Sequence, residues 1–280
     1  MGKAKFFPGE VCNMVTLGLR AFLLCVLGPT VRAQSRCQLA QVRRADGSYD
    51  LGGCNELRLH GERIGDEGAS RLAEALAADS ARVALLDLWS NGIGPKGAAA
   101  LAGALRRNKS VQKLYLNENA IGGEGAAALA SALDGGSRVS TLWLSRCRLG
   151  DSGAQALARV LRRGRVRLEQ LDLWENEIGA AGGIALARAL SSNRMLRTLE
   201  LRGNPAMGDE TARAFAELMP KNFALSTLDL LSTGVSESGR AALVGGLKVS
   251  RANPYLLLYA DGLPHLQATS WQQKGQADAP

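Results

Sequence analysis

Only two histidines, His60 and His265, stand in the 280 residues, which leaves imidazole chemistry little to work with. A general base or a metal ligand needs partners at short range. Neither histidine has the Cys, His or carboxylate spacing that would supply them, so no metal site and no Ser/His/Asp or Cys/His arrangement can be assembled. No Gly-x-x-x-x-Gly-Lys phosphate loop occurs. One stretch does match a cofactor motif: Gly92-Ile-Gly-Pro-Lys-Gly97 has the Gly-x-Gly-x-x-Gly spacing that admits a dinucleotide pyrophosphate at a helix N-terminus. Asn108-Lys109-Ser110 is a glycosylation sequon, and a lone match is expected by chance in a chain of this length. Which of these signals means anything depends on the elements that carry them.

Those elements repeat. Leu-x-Leu pairs stand at Leu57/Leu59, Leu86/Leu88, Leu114/Leu116, Leu142/Leu144, Leu171/Leu173, Leu199/Leu201, Leu228/Leu230 and Leu256/Leu258, 28 or 29 residues apart. A fixed period of this size is the mark of a solenoid, in which each unit buries its apolar face against its neighbours. Each Leu-x-Leu reads as a short strand, its leucines on one face and the middle residue on the other. A polar position follows, held by Asn91, Asn119, Asn176 and Asn204, by Cys147 in the fourth repeat, and by Glu62, Thr233 and Asp261 in the first, seventh and last. An amide there can bond the backbone of adjacent turns. After a Gly-x-x-Gly step, Ala98, Leu101, Ala102 and Leu105 recur at helical spacing, as do their counterparts in other repeats. The cofactor motif dissolves in this register, because Gly65/Gly68, Gly122/Gly125, Gly150/Gly153 and Gly179/Gly182 take the same places as Gly94/Gly97. Gly92 reads as an accidental extra, and no cofactor is expected.

Over residues 54–260 this pattern resembles the leucine-rich repeats of the ribonuclease-inhibitor subtype, whose units have this length and which also build NOD-like receptors and Ran GTPase-activating proteins. The resemblance implies an α/β solenoid of about eight repeats, a horseshoe with a parallel sheet on its concave face and helices on its convex face. It implies little about function, which resides in sites and not in folds.

The concave face is where the sequence is most informative. The strand positions that face outward, taken with the next outward residue, give Arg58/His60, Asp87/Trp89, Tyr115/Asn117, Trp143/Ser145, Asp172/Trp174, Glu200/Arg202 and Asp229/Leu231. Three of the four tryptophans therefore fall on one surface with Tyr115, and a line of carboxylates runs beside them. Contiguous exposed aromatics are characteristic of interfaces. The expected partner-binding residues are Asp87, Trp89, Tyr115, Trp143, Asp172, Trp174, Glu200, Arg202 and Asp229, and the expected partner is a protein with basic groups. The alternative is that the tryptophans cover the sheet and pack on one another with no partner. An arginine cluster, Arg159, Arg162, Arg163, Arg165 and Arg167, reads as a solvated helix end and not as a nucleic-acid site, since no aromatics interleave with it.

At the N-terminus, Lys3, Lys5 and Arg20 precede the apolar run Ala21–Gly28, and Val31-Arg-Ala33 offers a cleavage site, so residues 1–33 read as an export signal. A start at Met14 would give a tighter one. The run is too short to span a membrane. Without residues 1–33 the net charge falls from +8 to +5, too mild to argue for nucleic acid. Residues 34–53 read as a cap for the first repeat, where Cys37 and Cys54 form either a disulfide or two ordinary thiols. A disulfide would fit an oxidising compartment. Residues 261–280 read as a disordered tail. The whole reads as a monomeric, secreted binding scaffold and not an enzyme. A cytosolic regulator of the Ran GTPase-activating kind is the rival.

Overall fold

The computed structural model describes residues 34–78, 81–250, 256–263 and 266–267. The expected export signal, His265 and Trp271 lie outside them. The described chain opens with strand β1 (Gln34–Cys37) and a short helix α1 (Leu39–Val42). Strands then alternate with helices: β2 (Cys54–Arg58), α2 (Gly65–Leu76), β3 (Leu85–Asp87), α3 (Pro95–Arg107), β4 (Lys113–Tyr115), α4 (Gly122–Asp134), β5 (Thr141–Trp143) and α5 (Gly150–Arg162). The alternation continues through β6 (Gln170–Asp172), α6 (Ala180–Leu190), β7 (Thr198–Glu200), α7 (Gly208–Leu218), β8 (Thr227–Leu230), α8 (Glu237–Val249), β9 (Leu257–Ala260) and β10 (Leu266–Gln267).

The strands form one open sheet in sequence order, β1 to β10. From β2 to β9 every pairing is parallel, with Leu57, Leu86, Leu114, Leu142, Leu171, Leu199 and Leu228 on one row. Both leucines of each anchor are buried, and so are Ala98, Leu101, Ala102 and Leu105 on α3. Parallel strands sit about 4.8 Å apart, whereas packed helices need roughly 8–10 Å. A stack of strand–helix units must therefore curve toward its strands, and the sheet lines the concave side.

The last repeat departs from the sequence register. Leu228 pairs with Leu258 and not Leu256, and Leu230 pairs with Ala260. The shift is by two residues, so the faces are unchanged: Leu258 and Ala260 point in, and Leu257 and Tyr259 are half-exposed. Asp261 consequently leaves the expected polar row and instead accepts the Ser232 N–H at 2.7 Å. Within the stretch expected as tail, Leu266 and Gln267 pair antiparallel with β9.

Gly92 is also more than an accident. Its φ is +68°, and Arg63, Arg148, Glu177 and Gly234, in the same place of other repeats, share that left-handed conformation. The loop takes a positive φ there in these five repeats, though Ala120 and Pro205 fill the place without one, and glycine adopts it without steric cost. Gly97 serves packing: a Cβ on it would lie 2.6 Å from Asp66 Oδ1 and 2.9 Å from Ile93 Cγ2. The Asp66 carboxylate occupies that space to accept the N–H groups of Gly94 and Gly97, capping α3 from the preceding repeat. Asp151 does the same for α6 through Gly179 and Gly182.

Candidate functional site

The concave surface rests on a ladder of buried amides. Asn176 Oδ1 accepts the Cys147 N–H at 2.9 Å, while its Nδ2 donates to the carbonyls of Leu144 (2.7 Å) and Trp174 (3.2 Å). Asn119 and Asn204 make the same contacts in their repeats. Cys147 breaks the ladder, because a thiol only weakly replaces an amide. Its Sγ lies 3.1 Å from the Leu116 carbonyl, and burial pushes its pKa up to about 12, so it is a packed residue and not a nucleophile.

A second amide row, not anticipated from the sequence, runs along the loops after the helices. Asn108, Asn193 and Asn222 each donate Nδ2 to a carbonyl at the end of the preceding repeat's helix (Leu76, Leu161, Leu190) and accept two backbone N–H groups ahead. Asn108 is the sequon asparagine. It is 6% exposed with its amide committed, so the folded chain offers no nitrogen there for a glycan.

On this frame the strand registers place the candidate residues in two rows. Across β2 to β9 the first row reads Arg58, Asp87, Tyr115, Trp143, Asp172, Glu200, Asp229, Tyr259. The second, two residues on, holds His60, Trp89, Asn117, Ser145, Trp174, Arg202 and Leu231. All three tryptophans and Tyr115 are half-buried, and each has a neighbour within the chain. Tyr115 and Trp143 stack at 4.1 Å between centroids with planes 17° apart. Trp89 meets His60 at 5.0 Å, and the Arg146 guanidinium lies 4.8 Å above the Trp174 ring. Arg146 is itself held by Glu118 (3.2 Å) and Glu175 (2.6 Å), a cross-repeat clamp that the alternating strand pattern could not reveal. The tryptophans thus pack locally while each keeps a solvent-facing side.

The acidic residues divide into two settings. Asp87 is 9% exposed and accepts the Trp89 N–H at 3.2 Å, which fixes the turn more than it offers charge. Asp172, Glu200 and Asp229 stand on three consecutive strands. Burial raises the pKa of all three; Asp172 and Asp229 raise Glu200 further, and Asp261 and Asp172 raise Asp229. Asp172 offsets part of this by accepting the Ser145 hydroxyl at 2.7 Å and the Trp174 N–H at 2.9 Å. Arg202, exposed beside them, lowers the pKa of Asp229. A third row, Leu85, Lys113, Thr141, Gln170, Thr198 and Thr227, extends the face one step upstream. It follows from the same two-residue alternation, continued backwards from each leucine. Chemically, the surface offers flat aromatic area beside concentrated negative charge. Among the described residues no His/Cys/Asp/Glu group could hold a metal ion.

At the capped end, Cys37 and Cys54 are joined by a disulfide (S–S 2.00 Å) that ties β1 to the first residue of β2. Val42, Tyr49 and Leu51 are buried with them against the first repeat. No described helix is long and apolar enough to cross a membrane.

Comparison with known proteins gives the following. A sequence model described as "Leucine Rich repeat" matches residues 85–102, 107–130, 139–158, 168–187 and 192–216. No curated protein sequence matches the chain. Among solved structures, a chain titled "Leiomodin-1 Actin-Binding Site 2 (ABS2)" aligns over 66% of this chain and 98% of its own, at 20% identity and a TM-score of 0.45. A likeness that loose carries no argument about function.

Proposed function

From a solenoid of leucine-rich repeats with an aromatic and acidic concave face, we propose that the protein is a scaffold that captures a protein partner in that face. The carrying observation is the juxtaposition on consecutive strands of Tyr115 and Trp143 with Asp172, Glu200 and Asp229. Half-buried aromatics held in place by stacking lose little freedom on binding, which suits them to be anchors. Three carboxylates whose pKa values are raised, chiefly by burial, gain from an arriving arginine or lysine. The partner is therefore basic, and Trp89, Tyr115, Trp143 and Trp174 are its apolar contacts. The protein works in the secretory pathway or outside the cell, a reading that the Cys37–Cys54 disulfide supports because such bonds persist in oxidising compartments.

The test is capture from a panel of basic secreted proteins by the wild type and by Trp89→Ala/Trp143→Ala/Trp174→Ala. Loss of capture by a variant that keeps its helical circular dichroism supports the proposal. Retained capture moves the site elsewhere. A partner that engages only cytosolic GTPases would favour the Ran-type regulator.

A further inference from the structure

The two edges of the solenoid carry different charge. Loops that lead from strand to helix balance their charges, with Glu62, Glu118, Glu175 and Glu177 against Arg63, Arg146, Arg148 and Arg202, whereas loops that lead from helix to strand are rich in arginine. Along this second edge lie two adjoining grooves. One, of about 350 Å³, is lined by Arg82, Arg107, Lys109 and Arg138 with Asn108 and Ser110. The next, of about 400 Å³, takes Arg138 as its shared wall and continues through Arg167, with Glu169 the one carboxylate lining it.

Cations near helix C-termini are ordinarily explained by the helix dipole and the open carbonyls there. That account holds for some of this edge. Lys109 donates to the carbonyls of Arg106 and Gly136, Arg194 donates to that of Ser191, and Arg163 pairs with Asp134. It does not cover Arg82, Arg138 and Arg167, which lie in loops beyond the helix ends, and Arg107, in the last turn of α3, joins them on the groove wall. These four are exposed, and among the described residues their guanidinium groups have neither a carboxylate partner nor a carbonyl to cap. Three of them, Arg82, Arg138 and Arg167, stand immediately before the core residues Val83, Val139 and Leu168, at the same point of their repeats. Arg138 and Arg167 are therefore in adjacent repeats, while Ser110 holds that point in the repeat between Arg82 and Arg138. Among the described residues, the result is positive charge without ion-pair partners along a continuous trough.

We propose that this edge is a second binding surface, distinct from the concave face, and that its ligand is a linear sulfated polysaccharide. Guanidinium groups ranged along one trough match a chain that carries anionic groups along its length, and Arg binds sulfate oxygens through paired N–H groups. The trough's elongated form suits a polymer better than a flat anionic surface. No aromatic side chain lines either groove for bases to stack on, which disfavours single-stranded nucleic acid. The choice of an extracellular polymer rests on the secretory reading above, but the binding itself is independent of where the protein resides.

The experiment uses the purified full chain with its disulfide intact and fluorescent heparin as the probe. Reversal of four rim charges (R82E/R107E/R138E/R167E) should weaken binding by about a hundredfold or more at physiological salt, at roughly fivefold per lost ion contact. The same charge change on the opposite edge and the convex helices (R63E/K96E/R148E/R213E) should weaken it less than about tenfold, through long-range repulsion alone. Fully desulfated heparin should not bind, and concave-face variants should bind as the wild type does. Equal losses in the two charge-reversed proteins would overturn the proposal, as would tighter binding of single-stranded DNA of equal charge. If the fourfold rim variant does not fold, Arg138→Ala and Arg167→Ala alone should each flatten the salt dependence of heparin affinity; unchanged slopes would refute the site.

Discussion

Replacing Asn176 with alanine removes the central rung of the amide ladder, and its cost can be worked from the contacts. The side chain is fully buried, as are Cys147 and Leu144, whose N–H and C=O it satisfies at 2.9 and 2.7 Å. Alanine leaves both backbone groups buried without a protein partner. Each orphaned group costs about 1–3 kcal/mol. The weaker contacts to Leu149 N–H (3.4 Å) and Trp174 C=O (3.2 Å) add little. The expected loss is therefore about 3–5 kcal/mol, a large share of the 5–15 kcal/mol typical of a folded domain. Cys147→Ala is the matched control, because a thiol 3.1 Å from the Leu116 carbonyl contributes only a weak bond; it should cost about 1–2 kcal/mol less. Urea unfolding followed by circular dichroism measures both. Hydrogen exchange at the Cys147 amide localises the effect, since that proton loses its acceptor. A loss below about 1 kcal/mol for Asn176→Ala, or one no larger than for Cys147→Ala, would refute the reasoning.

Three further outcomes follow from the same structure. Asn108 should carry no glycan even when the chain is exported, as intact mass would show, and Asn108→Gln should destabilise the fold because the longer amide cannot keep the bond to the Leu76 carbonyl. Cys37→Ser/Cys54→Ser should cost about 3 kcal/mol by the loop-closure estimate for a bridge spanning 17 residues, and melting with and without reductant checks it. The third concerns pH. The raised pKa values of Asp172, Glu200 and Asp229 mean that the folded state holds protons the unfolded state has released, so their burial cost, present at neutral pH, is relieved as pH falls through the raised values. Binding has the opposite sense, since a basic partner needs them ionised. Affinity for an arginine-rich peptide should fall as pH drops toward the carboxylate range, with the fall beginning above the usual carboxylate values. Titration by fluorescence anisotropy would show it, and Asp172→Asn/Glu200→Gln/Asp229→Asn should flatten the profile.

Much of this organisation was legible in the residues because the repeat supplies its own check. Seven anchors in register fix which side chains face inward, and the structure places the strands and helices accordingly. The final anchor misled because residues 256–258 offer leucines at consecutive positions, and only the pairing of Leu228 with Leu258 chooses among them. Gly92 misled because a positive φ is a property of the loop's path, and arginine or glutamate fills the same place in other repeats. The concave rows follow from alternation, so Trp89, Tyr115, Trp143 and Trp174 could be grouped from spacing alone. What fills the space above each ring could not. Arg146 over Trp174 comes from an adjacent repeat, and its clamp by Glu118 and Glu175 depends on side-chain reach across strands. The rim escaped for a related reason: Arg82, Arg107, Arg138 and Arg167 are scattered in sequence, and the dense run at Arg159–Arg167 drew attention to one repeat in place of the edge they share.

The concave face is the centre of this account, and its most direct test is binding of a captured basic partner to Trp89→Ala/Trp143→Ala/Trp174→Ala, measured by surface plasmon resonance beside a melting curve. Truncated interface tryptophans commonly cost 2 kcal/mol or more each, so the account predicts at least a hundredfold loss of affinity with the solenoid still folded. Wild-type affinity in the folded variant would contradict it.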